Sequence, residues 1–289
     1  ADAVLNGLCP LVVADYEQSA GKMTGGKCAL VLLGKAGSRE MTFSSDLDIL
    51  FLYDAPDGAL SDAKKPLYAN VYYARLAQRI VNALSLNTRE GVLWSVDMRL
   101  RPSGNAGPAA VSLQAFVRYY DSEAWTWELM ALTKARAVWG DIGSAEIAAA
   151  LNKPRKADEI AADVVDMRQK IAENFPAKTV WDVKHIDGGM IDIEFFAQKT
   201  RLLHPEITDR SVSGILSHIQ TEQAAVLKEA YRLWTTLSTL YSVCLADGQT
   251  VADAPCAVQN KIAAMCGERD LPALERKIKE TAKAVYSAI

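Results

Sequence analysis

Residues 34–54 read GKAGSREMTFSSDLDILFLYD, a glycine-interrupted loop that runs into an apolar strand. Strand side chains alternate between faces. Asp46, Asp48, Leu50 and Leu52 therefore share one face, and Leu47, Ile49, Phe51 and Tyr53 the other. Two neighbouring carboxylates repel unless a cation or a proton sits between them. A donor set of oxygens alone favours Mg2+, which keeps waters and takes one or two carboxylates together with substrate phosphates. The spacing thus predicts a metal site at Asp46 and Asp48.

A matching pattern lies downstream. In SVDMRLR (95–101), Asp97, Arg99 and Arg101 alternate with Val96, Met98 and Leu100. If the two strands are neighbours, Asp97 joins the first pair as a third metal-binding carboxylate. Arg99 and Arg101 then extend the same face, suited to bidentate phosphate contacts. Upstream, GKAGSRE puts small residues where a backbone must approach a ligand. Gly37 and Ser38 are expected just before a helical turn whose free N–H groups face an anion. Each piece alone has a plainer reading as a turn, a cap or a solvent-facing strand. Together, in this order, they describe phosphoryl or nucleotidyl transfer assisted by metal.

The rest of the chain supplies the scaffold. Residues 2–20 have helical spacing, CALVLLG (28–34) reads as a buried strand, and 92–101 as a third strand. The amphipathic stretch 63–85 is long enough to cross over between strands of one sheet. RPSGNAGPAA (101–110) is a Pro/Gly-rich loop. Beyond it, 112–138, 157–175, 189–204 and nearly everything after 214 have helical spacing. An α/β part followed by a helical bundle is expected, with the division near 140–154. A net charge of −3 over 289 residues gives no global footprint for nucleic acid or an anionic membrane, and no apolar run is long enough to span a bilayer. Five scattered cysteines and three histidines form no disulfide framework or zinc pattern, which points to a reducing cytoplasm.

Gly37-Ser38, then Asp46-x-Asp48, then an acid on a later strand is the pattern of the polymerase-β-like nucleotidyltransferases. Four blocks in order, 33–54, 95–113, EAWTWELMALTKARAV (123–138) and DVKHIDGGMIDIEFFAQ (182–198), resemble the glutamine synthetase adenylyltransferase family. The resemblance implies an α+β fold: a nucleotidyltransferase domain with a mixed sheet over 1–145, and an all-helical bundle over 146–289. It also implies that ATP is the substrate and Mg2+ the cofactor. AMP would go to a tyrosine of glutamine synthetase, pyrophosphate would leave, and a PII-type signal protein and glutamine would act as effectors of the full-length enzyme. Nucleic acid and membrane are not expected partners.

That family pairs a half that attaches AMP with a half that removes it by phosphorolysis. EAWTWE resembles the attaching half; the removing half carries REWERYA-like text. The alternatives are the removing half and a nucleotide-sensing module without turnover, against which the acidic trio argues. RNA nucleotidyl transfer is disfavoured by the acidic balance. Carried over by position, Asp46, Asp48 and Asp97 hold Mg2+, and Asp97 helps take the proton of the attacking hydroxyl. Gly37 and Ser38 hold phosphates, and Arg99 and Arg101 stabilise charge. Lys134 and Arg136 are phosphate or salt-bridge residues. Lys184, Asp192 and Glu194 approach the nucleotide from the helical domain, although Asp192 has a simpler reading as a complement to its helix dipole. Glu128 accepts from a nucleotide, pairs with an arginine or anchors domain packing, and His185 is a polar neighbour. Ala36 stands where a Leu is usual, Ser38 for Gly, and Leu129 for a frequent His.

Overall fold

Leu47, Ile49, Phe51, Leu50 and Leu52 are all buried, so both faces of strand β2 (Leu47–Asp54) are covered and it lies inside a sheet. The computed structural model describes residues 1–151, 155–246 and 248–289. The chain divides into two compact units, one made of Ala1–Met41 and Ser45–Pro154, the other of Thr42–Ser44 and Arg155–Ile289.

In the first unit, β2 pairs antiparallel with β1 (Lys27–Leu32), and β1 pairs antiparallel with β5 (Arg136–Gly140). Along its other edge, β2 pairs in parallel first with β3 (Val96–Asp97) and then with β4 (Ala110–Ser112). The parallel pairing is permitted by helix α3 (Ala69–Leu84), the crossover anticipated from its amphipathic spacing. Helix α1 (Asp2–Ala20) and α3 cover one face, where Leu5, Tyr16, Tyr72, Leu76 and Ile80 pack on Leu30, Leu32, Ile49 and Phe51. Helices α2 (Gly34–Ser38), α4 (Leu113–Ser122), α5 (Thr126–Leu132) and α6 (Ser144–Ala149) complete the unit.

Three expectations need correction. The third strand is two residues long, because Asp97 Oδ1 accepts the Arg99 N–H at 2.7 Å and the Arg101 N–H turns back to Met98 O. A side chain that captures nearby backbone in this way ends a ladder. Ala110–Ser112, which spans the end of the expected Pro/Gly loop and the start of the expected helix, forms β4, because the loop returns the chain to the β2 edge. Arg136–Gly140, its first three residues expected at a helix end, is β5; tertiary pairing with β1 overrides the local helical spacing there.

The second unit is helical: α7 (Ala157–Asn174), α8 (Met190–Leu203), α9 (Val212–Ser217), α10 (Glu222–Cys244), α11 (Cys256–Met265) and α12 (Leu271–Ala288). The α+β class therefore holds, with a mixed open sheet and a helical second part. Helix starts follow side-chain caps: Ser211, Thr221 and Asp270 accept the N–H groups of Gly214, Ala224 and Ala273. Trp234 of α10 is fully buried at the centre, and its indole N–H donates to Gly188 O at 3.2 Å. Around it pack Ile193, Leu227, Leu274, Ile278 and Val285. Among the described residues no helix is long and apolar enough to cross a membrane.

Candidate active site

The parallel register places Asp48 directly opposite Asp97. Paired residues of adjacent strands project to the same side, so the two carboxylates are neighbours. Asp46 lies just ahead of β2, whose Leu47 N–H donates to Ser95 O at 2.8 Å. The Asp48 carboxyl is pushed up to about 6, first by burial and then by the charges of Asp97 and Asp46; Lys134 and Arg99 oppose the rise. Those causes put all three acids and one buried lysine in a single cluster. Asp97 is held below the usual carboxylate range, chiefly because Arg99 donates to it. Arg99 reaches both Asp97 oxygens: Nε donates to Oδ1 at 3.1 Å and to Oδ2 at 2.8 Å, and Nη2 donates to Oδ2 at 2.5 Å.

Helix α2 closes over this cluster. The Leu33 N–H donates to Asp48 O at 2.9 Å, which seats the turn on the strand. Gly34 has φ of 50°, and a Cβ there would stand 2.1 Å from Asp48 Oδ2, so only glycine fits. A Cβ on Gly37 would stand 2.1 Å from Lys134 O. Glycine at 37 thus lets the Lys134 backbone come close. Sequence reasoning missed Gly34, although a glycine directly after a buried apolar run was its signal.

Several expected site residues are used elsewhere. Gly37 and Ser38 lie inside the turn rather than before it. The Gly37 N–H donates to Leu33 O, and Ser38 Oγ to Gly34 O, so neither offers its donor to an anion in this arrangement. Arg101 does not continue the Asp97 face; it donates to Met98 O and Gly107 O and pins its own loop. Arg136 grips both Asp2 oxygens at 2.9 and 3.0 Å and donates to Ala36 O and Gly37 O, tying α1 to the end of α2. Glu128 is buried and caps α5: it accepts the Trp125 N–H at 2.9 Å and the Tyr119 hydroxyl at 2.6 Å. Within the helical unit, Asp192 takes two guanidinium bonds from Arg168 and the Gly188 N–H. Arg168 was not singled out in the sequence, where MRQK reads as an ordinary helix face. Glu194 is half-buried on α8 and Lys184 is exposed. His185 pairs through Nδ1 with Asp182, as a polar neighbour would.

Does the cluster suit Mg2+? Its donors are all carboxylate oxygens, and Asp48 is disfavoured as an anion beside two others, which a divalent cation relieves. Among the described residues no three His, Cys, Asp or Glu side chains already form a cage. In this arrangement Arg99 donates to both Asp97 oxygens. The donors nonetheless fit in kind, since Mg2+ bound with a nucleotide needs only one or two protein carboxylates.

Residues 1–152 match the family model described as glutamate-ammonia ligase adenylyltransferase. The chain belongs to the glutamate-ammonia ligase adenylyltransferase family. Residues 165–288 match a second model, described as GlnD PII-uridylyltransferase. A relative from Caulobacter vibrioides is 42% identical over 100% of this chain and 31% of its own length. Others from Mesorhizobium japonicum (38%, over 99% of this chain and 30% of the relative) and Brucella suis (40%, over 96% and 30%) are similar. Each is named a bifunctional glutamine synthetase adenylyltransferase/adenylyl-removing enzyme. The chain spans about three tenths of the length of these adenylyltransferase relatives.

Proposed function

We propose that this chain is the AMP-attaching half of a glutamine synthetase adenylyltransferase. It transfers AMP from ATP to a tyrosine hydroxyl of glutamine synthetase and releases pyrophosphate. The observation that carries this reading is the pairing of Asp48 with Asp97 across adjacent parallel strands, with Asp46 and Lys134 in the same cluster. The relatives' printed name supports the substrate, and the EAWTWE text at 123–128 supports the attaching half over the removing half.

Asp46 and Asp48 would hold Mg2+, with Asp97 completing the set. When bound, the ion neutralises charge on the attacked phosphorus and on the leaving pyrophosphate. On this reading Asp97 would accept a hydrogen bond from the attacking hydroxyl once Arg99 turns from it to a phosphate. That exchange gives Arg99 its role: it satisfies Asp97 without substrate and stabilises phosphate charge with it. Lys134, buried beside Asp48, adds a fixed positive charge on the same side. Gly34 and Gly37 let Asp48 and the Lys134 backbone come close to α2, Ser38 fastens the turn, and a triphosphate beside the acids would lie next to that turn. Lys184 and Glu194 remain candidates for nucleotide contact in the helical unit, whereas Asp192, Arg101 and Arg136 act as scaffold. A PII-type signal protein and glutamine would govern the full-length enzyme, in a cytoplasm compatible with five free cysteines.

Incubation with labelled ATP, Mg2+ and glutamine synthetase tests this. Wild type is expected to label one tyrosine, and Asp46→Asn with Asp48→Asn to lower the rate about a thousandfold or more. The reading falls if wild type labels nothing, or if the double variant labels as well. Release of AMP from modified glutamine synthetase by phosphate, without labelling from ATP, would assign the removing half instead.

A further inference from the structure

The helical unit holds a cavity of about 890 Å3 that the reading above does not use. All of its lining residues belong to that unit. Four ring side chains stand in its walls: Phe175, Trp181, His185 and Tyr241. Phe175, just past the end of α7, is 63% exposed and stacks on the His185 ring, with centroids 6.3 Å apart and planes inclined by 24°. Trp181 and Tyr241 line the same space.

The polar side chains around it fall into two groups. Some are already committed: Asn174 donates to Lys170 O, Ser242 to Thr239 O, and Gln249 bonds to Ala246 and Asp253. Others have nothing to bond. Tyr241 Oη is buried without a partner. Ser238 Oγ and His185 Nε2 have none among the described residues either. The His185 Nδ1 lies 3.0 Å from an Asp182 oxygen, so the neutral ring places its proton there and leaves Nε2 as an acceptor. A buried hydroxyl without a partner is disfavoured, and a ligand can satisfy it. Phosphates call for several cations, yet Lys178 is the one Lys or Arg among the described lining residues.

Flat apolar faces, free donors and acceptors at the edges and little charge suit a planar heteroaromatic ring with a hydroxylated substituent. We infer that this cavity is a nucleoside-binding site of the helical unit, taking base and sugar rather than phosphate. It does not rest on the acidic cluster, which belongs to the other unit.

Equilibrium dialysis of the 289-residue chain against labelled adenosine tests it. Wild type is expected to bind one adenosine saturably. Tyr241→Phe, Ser238→Ala and His185→Gln should each weaken binding by about three- to tenfold. Tyr241→Phe removes only a hydroxyl that bonds nothing, so the fold, followed by circular dichroism, should be kept. The Asp46→Asn, Asp48→Asn variant should bind adenosine as wild type does, whatever its labelling activity. Four outcomes would overturn the inference: no saturable binding up to millimolar adenosine, wild-type affinity in all three cavity variants, competition by inorganic phosphate, or loss of adenosine binding in the acidic double variant. None of them decides whether the acidic cluster transfers AMP, which the labelling of glutamine synthetase reads separately.

Discussion

Asp46-Leu47-Asp48 and Asp192-Ile193-Glu194 look alike in the sequence, each an acid pair set two apart next to buried apolar residues. Their surroundings are opposite. Asp192 receives Arg168 at two oxygens and a backbone N–H from Gly188, so its charge is answered on every side. Asp48 faces Asp97 across the sheet with Asp46 beside it, and its charge is resisted. The first acid is a fastener. Removing it or its arginine weakens the fold. The second is a strained charge whose removal is expected to relax the fold and, on the function proposed above, to abolish AMP transfer.

The sharpest way to break this comparison is to measure stability at both places. Arg168 and Asp192 have side-chain exposures of 17% and 14%. Arg168→Ala leaves a largely buried carboxylate without its cation and is expected to destabilise the helical unit by about 3 kcal/mol. Asp48→Asn is expected to act in the other direction, stabilising the metal-free chain by about 1 kcal/mol at pH 8 after allowance for solvent screening. Urea midpoints of the two variants decide. If both destabilise, Asp48 is an ordinary structural acid and the contrast is void.

A second measurement sharpens the sign. The Asp48 carboxyl titrates near 6 in the folded chain, against about 3.9 when unfolded. Below both values it is neutral in either state and costs nothing. Between them the folded chain holds the proton more tightly, so stability falls as pH rises from about 4 to about 6 and stays lower above. The difference between wild type and Asp48→Asn should therefore grow over that window and then level off. Mg2+ at pH 8 should raise the wild-type melting temperature and leave that of the variant nearly unchanged. A constant difference across pH would remove the strained charge from the account.

How far could this contrast be read in advance? The Asp48 side was legible, because two acids at strand period on an apolar strand need an explanation that burial does not supply. The adjacency of Asp97 was legible as a condition, and α3, as a crossover, made it hold. What could not be read was the fate of the basic residues. Arg99, Arg101, Arg136 and Arg168 look equivalent as letters, yet one pairs with Asp97, one pins a loop, one ties α1 to α2 and one clamps Asp192. Arginine reaches far, and its partner is set by packing between elements distant in sequence. The same holds for β5, whose strand state comes from pairing with β1, more than a hundred residues earlier. Gly37 and Ser38 were correctly linked to α2 but placed at the wrong end of it, since a five-residue turn gives little periodicity to read.

The smallest expected effect concerns a third acid that the sequence left undecided. Glu128 was open to a nucleotide, an arginine or a packing role. In the structure it resembles Asp192 rather than Asp48, since each oxygen has a donor: the Trp125 N–H and the Tyr119 hydroxyl. The Tyr119 hydroxyl is pushed up to about 12, by burial first and then by its bond to Glu128. Glu128→Gln keeps one carbonyl oxygen and loses the other acceptor, so it should cost about 1 kcal/mol of stability. The Tyr119 proton should come off at lower pH, as followed by NMR of labelled tyrosine. Because Lys134 follows α5 after a single turn residue, a loosened cap also tests how firmly that helix must be held. Labelling of glutamine synthetase should change by no more than about threefold if Glu128 only caps. A fall of a hundredfold with stability kept would place Glu128 with Asp48, among the groups proposed to serve the transfer.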